Sequence, residues 1–453
     1  MTLLRGMARG VTEIARRGLD AGVEREALRA LLNVLGTAVS GMRSPDVPRI
    51  LSLGHRDGAS GSVSVPGLRR RTSAYLGALV IGFAAHVDDF DDTHLLSGNI
   101  HPGSVALGAT LGLAEERGAS GREFLTAFAV TCETLIRIGE SLAPSHHAAG
   151  WQPSTTCGPP AAAFGAGLLL GLDEKALAVA AAIGGTRPLG HREGLGTPAK
   201  AYHVARACVN GLSSARLAER GVAADPGVWE AEGGAALVLA EAVDTRRALD
   251  GLGSDWRLLS NTYKAYPCGV VAHPGIDAAL AAAQGIDAGR AVQGVVLECH
   301  PLVVELMDRA APANGLEARF SSQHAVACAV ARGRMTLEEL TDEAVSDPEV
   351  ARVRSLVTLV PRPDFDREQA AVAIHCSDGR RQHARVESPR GSARRPLTDA
   401  ELGDKVMGLA RPLLGDGARR IIEAVSGLVE QPTLGPLIDA LTPAEGEPGC
   451  TTW

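Results

Sequence analysis

Apolar residues recur at three- and four-residue spacing through most of residues 10–220, and this periodicity constrains the fold more than any other feature. Such spacing places the apolar side chains on one face of an α-helix. Ser120 and Asp173 stand where helix N-caps are expected. We therefore predict a series of helices broken by Gly and Pro. The clearest segments are EREALRALLNVLGTAVSGM, TSAYLGALVIGFAAHVDDF, HPGSVALGATLGLAEERG, SGREFLTAFAVTCETLIRIGESL, DEKALAVAAAIGG and KAYHVARACVNGLSSARLAERG.

After residue 265 the pattern changes to short β-branched runs at 292–300, 352–360, 369–379 and 380–388, and CSDGR between the last two is typical of a hairpin turn. From TDAELGDKVMGLARPLL onward the chain is helical again. At 453 residues the chain is long for one compact core. We predict a mainly α fold with two domains. A large all-helical domain comprises residues 1–264 with 396–453, and a smaller α+β lid domain, 265–395, is inserted into it.

Composition excludes several classes of function. A net charge of −7 without a basic block gives no footprint for nucleic acid. The N-terminus is charged throughout, which excludes a signal peptide, and no apolar run is long enough for a membrane span, so we expect a cytoplasmic protein. The eight cysteines are scattered without a C-x-x-C pair, which argues against a structural zinc site or an iron–sulfur cluster. They are expected to be small core residues.

The stretch HVDDFDDTH concentrates acidic residues, and Asp88, Asp89 and Asp92 fit the D-D-x-x-D spacing of helical terpene synthases that bind magnesium. Those enzymes need an aromatic-lined pocket, whereas aromatic residues make up only 3% of this chain. Their second magnesium motif is also not evident. We therefore predict no metal site here and consider an acid/base site instead.

His101 precedes Pro102 at the entrance to an apolar helix, where free backbone N–H groups favour an anion. Only four of the 45 basic residues are lysine. Lys200 and Lys264 adjoin turns, while Lys175 and Lys405 are expected at ordinary helix-surface positions. Cations and acid/base groups clustered without a phosphate loop suggest a small polycarboxylate as substrate. The further candidates beside the two turn lysines are His203, Tyr263 and His273.

Five motifs occur in a fixed order along the chain: HVDDFDDTH…HPG, GWQPSTTCG, GTPAKAYHVARA, YKAYPCGVVAHPGIDA and EARFSSQHAVACAVARG. With these motifs the chain resembles the MmgE/PrpD superfamily, which includes 2-methylcitrate dehydratase, cis-aconitate decarboxylase and iminodisuccinate epimerase. The resemblance implies a large helical domain, a smaller lid domain, a homodimer, and catalysis without a metal or organic cofactor.

Motif by motif, the resemblance implies catalytic roles for Asp89, His101, Lys200 and Lys264. It also places Thr93, in the family's D-F-D-D-T element, at the substrate. Two positions depart from the pattern. Gln152 stands where many members have histidine, and glutamine can bind a substrate but has no proton to exchange near neutral pH. Ser322 replaces a tyrosine found in decarboxylase-like members, and the nearby His324 is a candidate to restore acid/base capacity from the lid side.

The shared chemistry of such a site is abstraction of a proton α to a carboxylate. We expect His101 to be the main acid/base, oriented by Asp89 or a neighbour, and dehydration of a hydroxy-polycarboxylic acid related to 2-methylcitrate or a longer alkylcitrate. Epimerisation or isomerisation, decarboxylation, and non-catalytic binding on the same scaffold are the alternatives. For Asp91 and Asp92 a structural role is at least as well supported as a catalytic one. Structural roles are also expected for His55, His146, His147, His191, His300, His375 and His383.

Overall fold

A computed structural model gives the arrangement of the chain. About 60% of it is helical with a few small sheets, which confirms the mainly α prediction. None of the described helices is long and apolar enough to span a bilayer. The structure describes residues 2–56, 61–95, 98–187, 190–191, 196–286 and 291–446.

Residues 2–264, together with 396–446, form what we call the helical body. Its first part contains thirteen described α-helices and four two-residue strands, in the following order. They are α1 (Leu3–Arg17), α2 (Ala21–Gly41), α3 (Val47–Arg56), β1 (Val63–Ser64), β2 (Arg71–Thr72), α4 (Ala74–Val87), β3 (Asp92–Thr93), α5 (Pro102–Arg117), α6 (Gly121–Leu142), α7 (Ser145–Ala148), α8 (Pro153–Thr156), α9 (Gly158–Leu169), α10 (Glu174–Gly185), α11 (Ala199–Glu219), α12 (Ala235–Leu239), α13 (Thr245–Leu249) and β4 (Thr262–Tyr263).

The remaining elements belong to what we call the inserted segment, residues 265–395, and to the return of the chain to the helical body. The inserted segment contains α14 (His273–Ala283), β5 (Val292–Cys299), α15 (Pro301–Met307), α16 (Gly315–Ala318), α17 (Ser322–Arg332), α18 (Asp342–Ser346), α19 (Pro348–Arg354), β6 (Val357–Pro361), β7 (Ala370–Cys376) and β8 (Arg381–Val386). The returning chain forms α20 (Asp399–Leu414), α21 (Arg419–Ser426) and α22 (Gly435–Leu441).

Both predicted N-caps of the helical body are present. Ser120 and Glu123 form a capping box at the start of α6, and the Asp173 carboxylate accepts the Ala176 N–H at 2.8 Å. Small residues let the helices approach closely. A Cβ at Gly108 would lie 2.9 Å from the Cα of Gly82, so α4 and α5 touch backbone to backbone at this point. This packing explains how a core with few aromatic rings stays dense.

The helical body also contains two short ladders that the helical pattern did not predict. Strands β1 and β2 pair antiparallel across the loop of residues 65–70, and β3 pairs antiparallel with β4. In the second ladder Asp92 lies opposite Tyr263 and Thr93 opposite Thr262. This ladder brings the aspartate-rich loop beside the segment that carries Lys264, although they are about 170 residues apart in sequence.

The inserted segment forms a four-stranded sheet in the order β6-β5-β7-β8, parallel between β5 and β6 and otherwise antiparallel. The predicted hairpin is present, since the Cys376 N–H donates to the Arg380 carbonyl and Gly379 takes a φ of 81°. The strand predicted at 352–360 begins only at Val357. The first residues of the predicted strand instead form the end of helix α19. Asp347 caps the start of this helix by accepting two backbone N–H groups.

Buried apolar side chains form two clusters. One draws on residues between Leu3 and Tyr263 and again between Leu397 and Leu441, and the other on residues between Tyr266 and Ile374. The chain passes from one cluster to the other close to the boundaries predicted at 265 and 395. We keep the division into two domains at these boundaries as a proposal. The seven described cysteines are free and buried, as expected of small core residues.

Candidate active site

Asp89 lies in the turn that follows α4 and has a φ of 51°, a left-handed conformation that is uncommon for a residue with a side chain. Such strain persists only where the surroundings hold it, and it is frequent at functional sites. The Lys264 ammonium donates to the Asp89 carbonyl at 3.0 Å and contacts the Asp89 carboxylate at 2.9 Å. The Lys200 ammonium, from the first turn of α11, donates to the same carboxylate oxygen.

These three side chains form a buried cluster with one net positive charge. Burial would raise the pKa of Asp89, but the ammonium groups of Lys200 and Lys264 outweigh it and hold that pKa well below its usual value. Burial also lowers the pKa of Lys200, which Asp89 only partly offsets. The Lys200 ammonium lies 5.6 Å above the ring of Phe320, a residue of the inserted segment. The cluster can therefore bind a carboxylate and, at Lys200, release a proton more readily than an exposed lysine would.

His101 immediately precedes α5, and its ring is fixed through Nδ1. This nitrogen lies 2.8 Å from the Asp92 carbonyl, 3.3 Å from Thr93 Oγ1 and 3.5 Å from the Asp91 carboxylate. Since a carbonyl can only accept, Nδ1 carries the hydrogen and Nε2 keeps its lone pair. Burial lowers the pKa of His101 to about 3. The imidazole is therefore neutral at physiological pH and leaves the Nε2 lone pair available to accept a proton, although a pKa this low makes it a weak base until a bound anion raises it.

Asp91, rather than Asp89, is the carboxylate nearest to His101. Its Oδ2 accepts from Ser104 Oγ at 2.6 Å and lies 2.7 Å from His86 Nδ1. Burial opposes the charge of Asp91, yet the contacts with His86 and His101 keep its pKa below the usual value. Asp89 is occupied by the lysines, so the orienting role expected of Asp89 or a neighbour falls to Asp91 and to the Asp92 backbone.

The Asp92 carboxylate caps α5 and does not face a ligand. It accepts from the Gly103 N–H at 3.1 Å and from the Asn261 side chain at 2.6 Å. Burial, and then the neighbouring Asp91, raise the pKa of Asp92 to about 7. A Cβ at residue 103 would lie 2.8 Å from this carboxylate, so a larger residue there would have to displace the cap. The capping role anticipated for Asp92 fits this geometry.

A cavity of about 470 Å³, which we call the central cavity, lies between the helical body and the inserted segment. Seven of the ten predicted site residues line it, and three do not. Those that line it are Asp89, His101, Gln152, Lys200, Tyr263, Lys264 and His273. Much of the remaining wall is apolar and includes Val270, Val271, Leu302, Leu306 and Met307.

Two of the lining residues are constrained by the protein: one has its hydroxyl hydrogen-bonded away from the cavity, and the other has a strongly lowered pKa. The Tyr263 hydroxyl donates to Glu26 of α2, so it is directed away from a ligand. His273 is the first residue of α14, and burial lowers its pKa to about 3. His273 is therefore neutral, and its ring packs edge-on against Tyr266 with a centroid distance of 5.2 Å.

Gln152 is nearly buried and stands directly before α8. Its side-chain oxygen has no hydrogen-bond partner among the described residues. A buried amide oxygen without a partner is unfavourable unless a ligand or water satisfies it. In the central cavity it is positioned to accept a hydrogen bond from a ligand hydroxyl.

His324 does not belong to the central cavity. It lies in the first turn of α17, with Nε2 at 2.7 Å from the Glu339 carbonyl and Nδ1 at 3.2 Å from the Arg354 guanidinium. Both ring nitrogens are thus occupied inside the inserted segment. The expectation that His324 replaces the histidine absent at position 152 is not supported, because the helix turns its side chain into the core of the inserted segment.

Thr93 and His203 also lie outside the cavity wall among the described residues. Thr93 is fully buried and contacts His101 Nδ1, so it supports the histidine from behind and does not face a substrate. His203 packs against His191 with a ring distance of 5.7 Å, and burial, then His191, lower its pKa. For both residues the sequence correctly predicted a position near the site, but the side chain does not line the central cavity.

The six described histidines that were expected to be structural divide into three groups. His146 bonds to Thr156 Oγ1 at 2.8 Å, and the His300 ring accepts the Leu302 N–H at the start of α15. His147 and His191 instead line the central cavity. The remaining two described rings, His375 and His383, are exposed, and the side chain of His55 lies outside the described part of the chain.

Two residues near the site were missed from the sequence. His86, in the last turn of α4, is buried against Asp91 with its ring 4.7 Å from that of His101. Lys405 of α20 was expected at the surface but is partly buried, with its ammonium bonded to the carbonyls of Phe90 and Lys264. Spacing along α4 could have pointed to His86, because it precedes the aspartates by less than two turns. Carbonyl partners leave no sequence signal for Lys405.

Donor atoms of His86, Asp89 and His101 lie within 4.8 Å of one another, which raises the question of a metal ion. The set suits one poorly, because two ammonium groups already contact Asp89 and a divalent cation would lie beside both. The arrangement fits proton transfer and carboxylate binding better.

Comparisons with known proteins identify the family of the chain. The chain matches the family model of the MmgE/PrpD N-terminal domain over residues 5–248 and that of the MmgE/PrpD C-terminal domain over residues 266–430. It is 26% identical over 375 residues to cis-aconitate decarboxylase of Homo sapiens, covering 78% of this chain and 76% of that protein. It is also 24% identical over 446 residues to the cis-aconitate decarboxylase-like protein oryM of Aspergillus oryzae, covering 91% of each. The chain therefore belongs to the MmgE/PrpD family.

Proposed function

We propose that the protein is a cofactor-independent lyase that dehydrates a small hydroxy-polycarboxylic acid of the alkylcitrate kind. One arrangement carries the proposal: a neutral His101 lines the central cavity beside the Asp89–Lys200–Lys264 cluster. A base next to fixed cations is what removal of a proton α to a carboxylate requires, since the cations stabilise the charge that develops on the carboxylate.

In the proposed reaction His101 Nε2 accepts the proton from the carbon α to a carboxylate. The electron pair of that C–H bond forms the new C=C bond, and the C–O bond to the β-hydroxyl breaks. Lys200, whose pKa burial lowers, donates a proton to the departing oxygen, so that water leaves. Lys264 remains bound to the substrate carboxylate. His101 then returns its proton to solvent and Lys200 is reprotonated, which closes the cycle.

Gln152 favours a substrate that carries a hydroxyl. Its unpartnered oxygen accepts a hydrogen bond, and a hydroxy acid supplies the donor that an olefinic acid lacks. The apolar wall at Val270, Leu302 and Leu306 supports an alkyl substituent on that acid. Each methylene buried there is worth about 0.8 kcal/mol, or roughly fourfold in affinity.

Decarboxylation of a related polycarboxylate is the second candidate, and the names of the relatives favour it. Both reactions use the same cations. Decarboxylation breaks a C–C bond instead of a C–H and a C–O bond, and the carbanion left by CO₂ takes up a proton, which Lys200 is placed to donate. Epimerisation would need a second proton donor on the opposite face of the substrate. Gln152 stands where the family pattern has a histidine, and it cannot supply that proton.

The test is a substrate panel on purified protein dialysed against EDTA. It contains citrate, 2-methylcitrate, 2-alkylcitrates with two to six carbons in the chain, and cis-aconitate. Olefin formation is followed by absorbance near 240 nm and CO₂ release by NMR. We expect olefin from alkylcitrates, with kcat/KM rising with chain length. CO₂ release from cis-aconitate alone would replace dehydration by decarboxylation, and saturable binding without turnover would favour a binding protein.

A further inference from the structure

Lys405 makes an unusual set of contacts for a residue outside the central cavity. Its ammonium donates to Asn33 Oδ1 at 2.8 Å, to the Phe90 carbonyl at 2.7 Å and to the Lys264 carbonyl at 2.8 Å. These acceptors come from three separate stretches of chain, and together they use all three N–H groups of the ammonium. The ammonium also lies 4.0 Å above the Phe90 ring.

None of the three acceptors is charged, and no ion pair of the described residues includes Lys405. A partly buried cation held only by carbonyl and amide oxygens has a desolvation cost that no opposite charge bonded to it offsets. Burial lowers the pKa of Lys405 to about 7, even though Asp91 is near enough to oppose that change. The contacts therefore do not resemble the solvated surface lysine that the helical pattern of α20 predicts.

The two backbone groups that Lys405 binds belong to the machinery of the site. Phe90 directly follows Asp89, whose left-handed backbone needs external support. The carbonyls of residues 89 and 90 each accept from a lysine, the first from Lys264 and the second from Lys405. Lys405 also holds the carbonyl of Lys264 itself.

We propose that Lys405 is a positioning residue for the active site: it ties the Asp89 turn to the backbone of Lys264 and so fixes the direction in which both side chains meet a substrate. Loss of this tie frees the Asp89 turn to relax from its left-handed conformation. The carboxylate then no longer holds the two ammonium groups together. This inference rests on the proposed function only in taking Asp89 and Lys264 to act on the substrate.

The test compares Lys405→Met and Lys405→Gln with the wild type. Methionine removes all three hydrogen bonds and keeps the apolar stem, whereas glutamine can restore one or two of them. We expect kcat to fall at least 30-fold in the methionine variant and less in the glutamine variant. Binding of tricarballylate, a tricarboxylate without a hydroxyl, should weaken at least tenfold by calorimetry. Lys175→Met, at an exposed position, is the matched control and should equal the wild type.

Chemical rescue separates positioning from a merely structural role. A cleft of about 620 Å³ adjoins Lys405 and gives small molecules a path to the gap left in Lys405→Ala. Propylammonium should restore part of kcat in a saturable manner, while uncharged propanol should not. Wild-type values of kcat and tricarballylate affinity in the methionine variant would overturn the inference, as would a loss of activity that only follows the loss of folded protein and resists rescue. A wild type that binds tricarballylate but dehydrates nothing would overturn the proposed function, while the binding comparison would still test Lys405.

Discussion

The entrance of α5 in the helical body and the entrance of α17 in the inserted segment each carry a buried histidine, and burial lowers the pKa of both. His101 precedes its helix and lines the central cavity, and among the described residues its ring is hydrogen-bonded through Nδ1 alone. His324 lies inside the first turn of its helix, and both ring nitrogens are bonded within the protein. A histidine at a helix entrance therefore becomes a candidate acid/base only when one nitrogen stays free on the cavity side.

The largest expected effect tests the α5 entrance. His101→Asn keeps a polar side chain of similar size but removes the group that accepts the proton. We expect kcat to fall by about 10²–10⁴, the range for loss of a general base, with a cooperative unfolding transition retained. Steady-state kinetics on the preferred substrate, with circular dichroism as the check on folding, measures this. A loss of less than about tenfold would assign the base to another group, such as His273 in the same cavity.

The second-largest effect is expected from the two lysines, Lys200 and Lys264, that lie near His101 in the central cavity and have no lysine counterpart beside His324 in the described part of the chain. Lys200→Met or Lys264→Met leaves Asp89 with a single ammonium partner and removes one contact to a substrate carboxylate. We expect kcat/KM to fall by about 2–4 kcal/mol, or roughly 30- to 1,000-fold, as for breaking a buried charge pair. Lys175→Met is the control. Equal kinetic constants in all three variants would show that Lys200 and Lys264 do not bind the carboxylates of the substrate.

The pH dependence of stability reports on these buried histidines, because burial lowers the pKa of both in the folded protein. The unfolded chain binds protons on histidine near pH 6.5, whereas folded His101 does so only near pH 3. Between these values the unfolded state binds more protons, so acidification must reduce stability. Proton binding at residue 101 in the unfolded chain should by itself lower the free energy of unfolding by about 1 kcal/mol for each pH unit below 6. Urea unfolding of the wild type and His101→Asn at pH 7, 6 and 5 tests the sign, since the variant lacks this contribution.

The smallest expected change in catalysis comes from replacing His324 at the α17 entrance. His324→Gln should leave kcat and KM within about threefold of the wild type. It should reduce stability by about 1–3 kcal/mol, because the Glu339 carbonyl loses its partner. Kinetics and urea unfolding of the same preparation give both numbers. A loss of turnover comparable to that of His101→Asn, without unfolding, would return His324 to the active site.

Much of the fold was predictable because its signals are local. Helical periodicity, the caps at Ser120 and Asp173 and the hairpin at Gly379 each depend on a few neighbouring residues. His101, Lys200 and Lys264 were also found from sequence, since each adjoins a turn. The direction of a side chain was harder to predict. The Tyr263 hydroxyl reaches Glu26 in α2, and Lys405 reaches backbone carbonyls that have no sequence signature. Such contacts depend on how distant segments pack.

The most direct test of the central claim, that His101 exchanges the proton of a lyase reaction, uses the reverse direction in D₂O. An alkyl-substituted cis-aconitate is offered to the wild type, His101→Asn and His324→Gln, and the products are analysed by NMR and mass spectrometry. We predict a hydroxy acid with one deuterium on the carbon α to a carboxylate. The wild type and His324→Gln should form it at similar rates, and His101→Asn at least 100-fold more slowly. Formation of that product by His101→Asn at the wild-type rate, or a wild-type product that has lost CO₂ instead of gaining water, would contradict it.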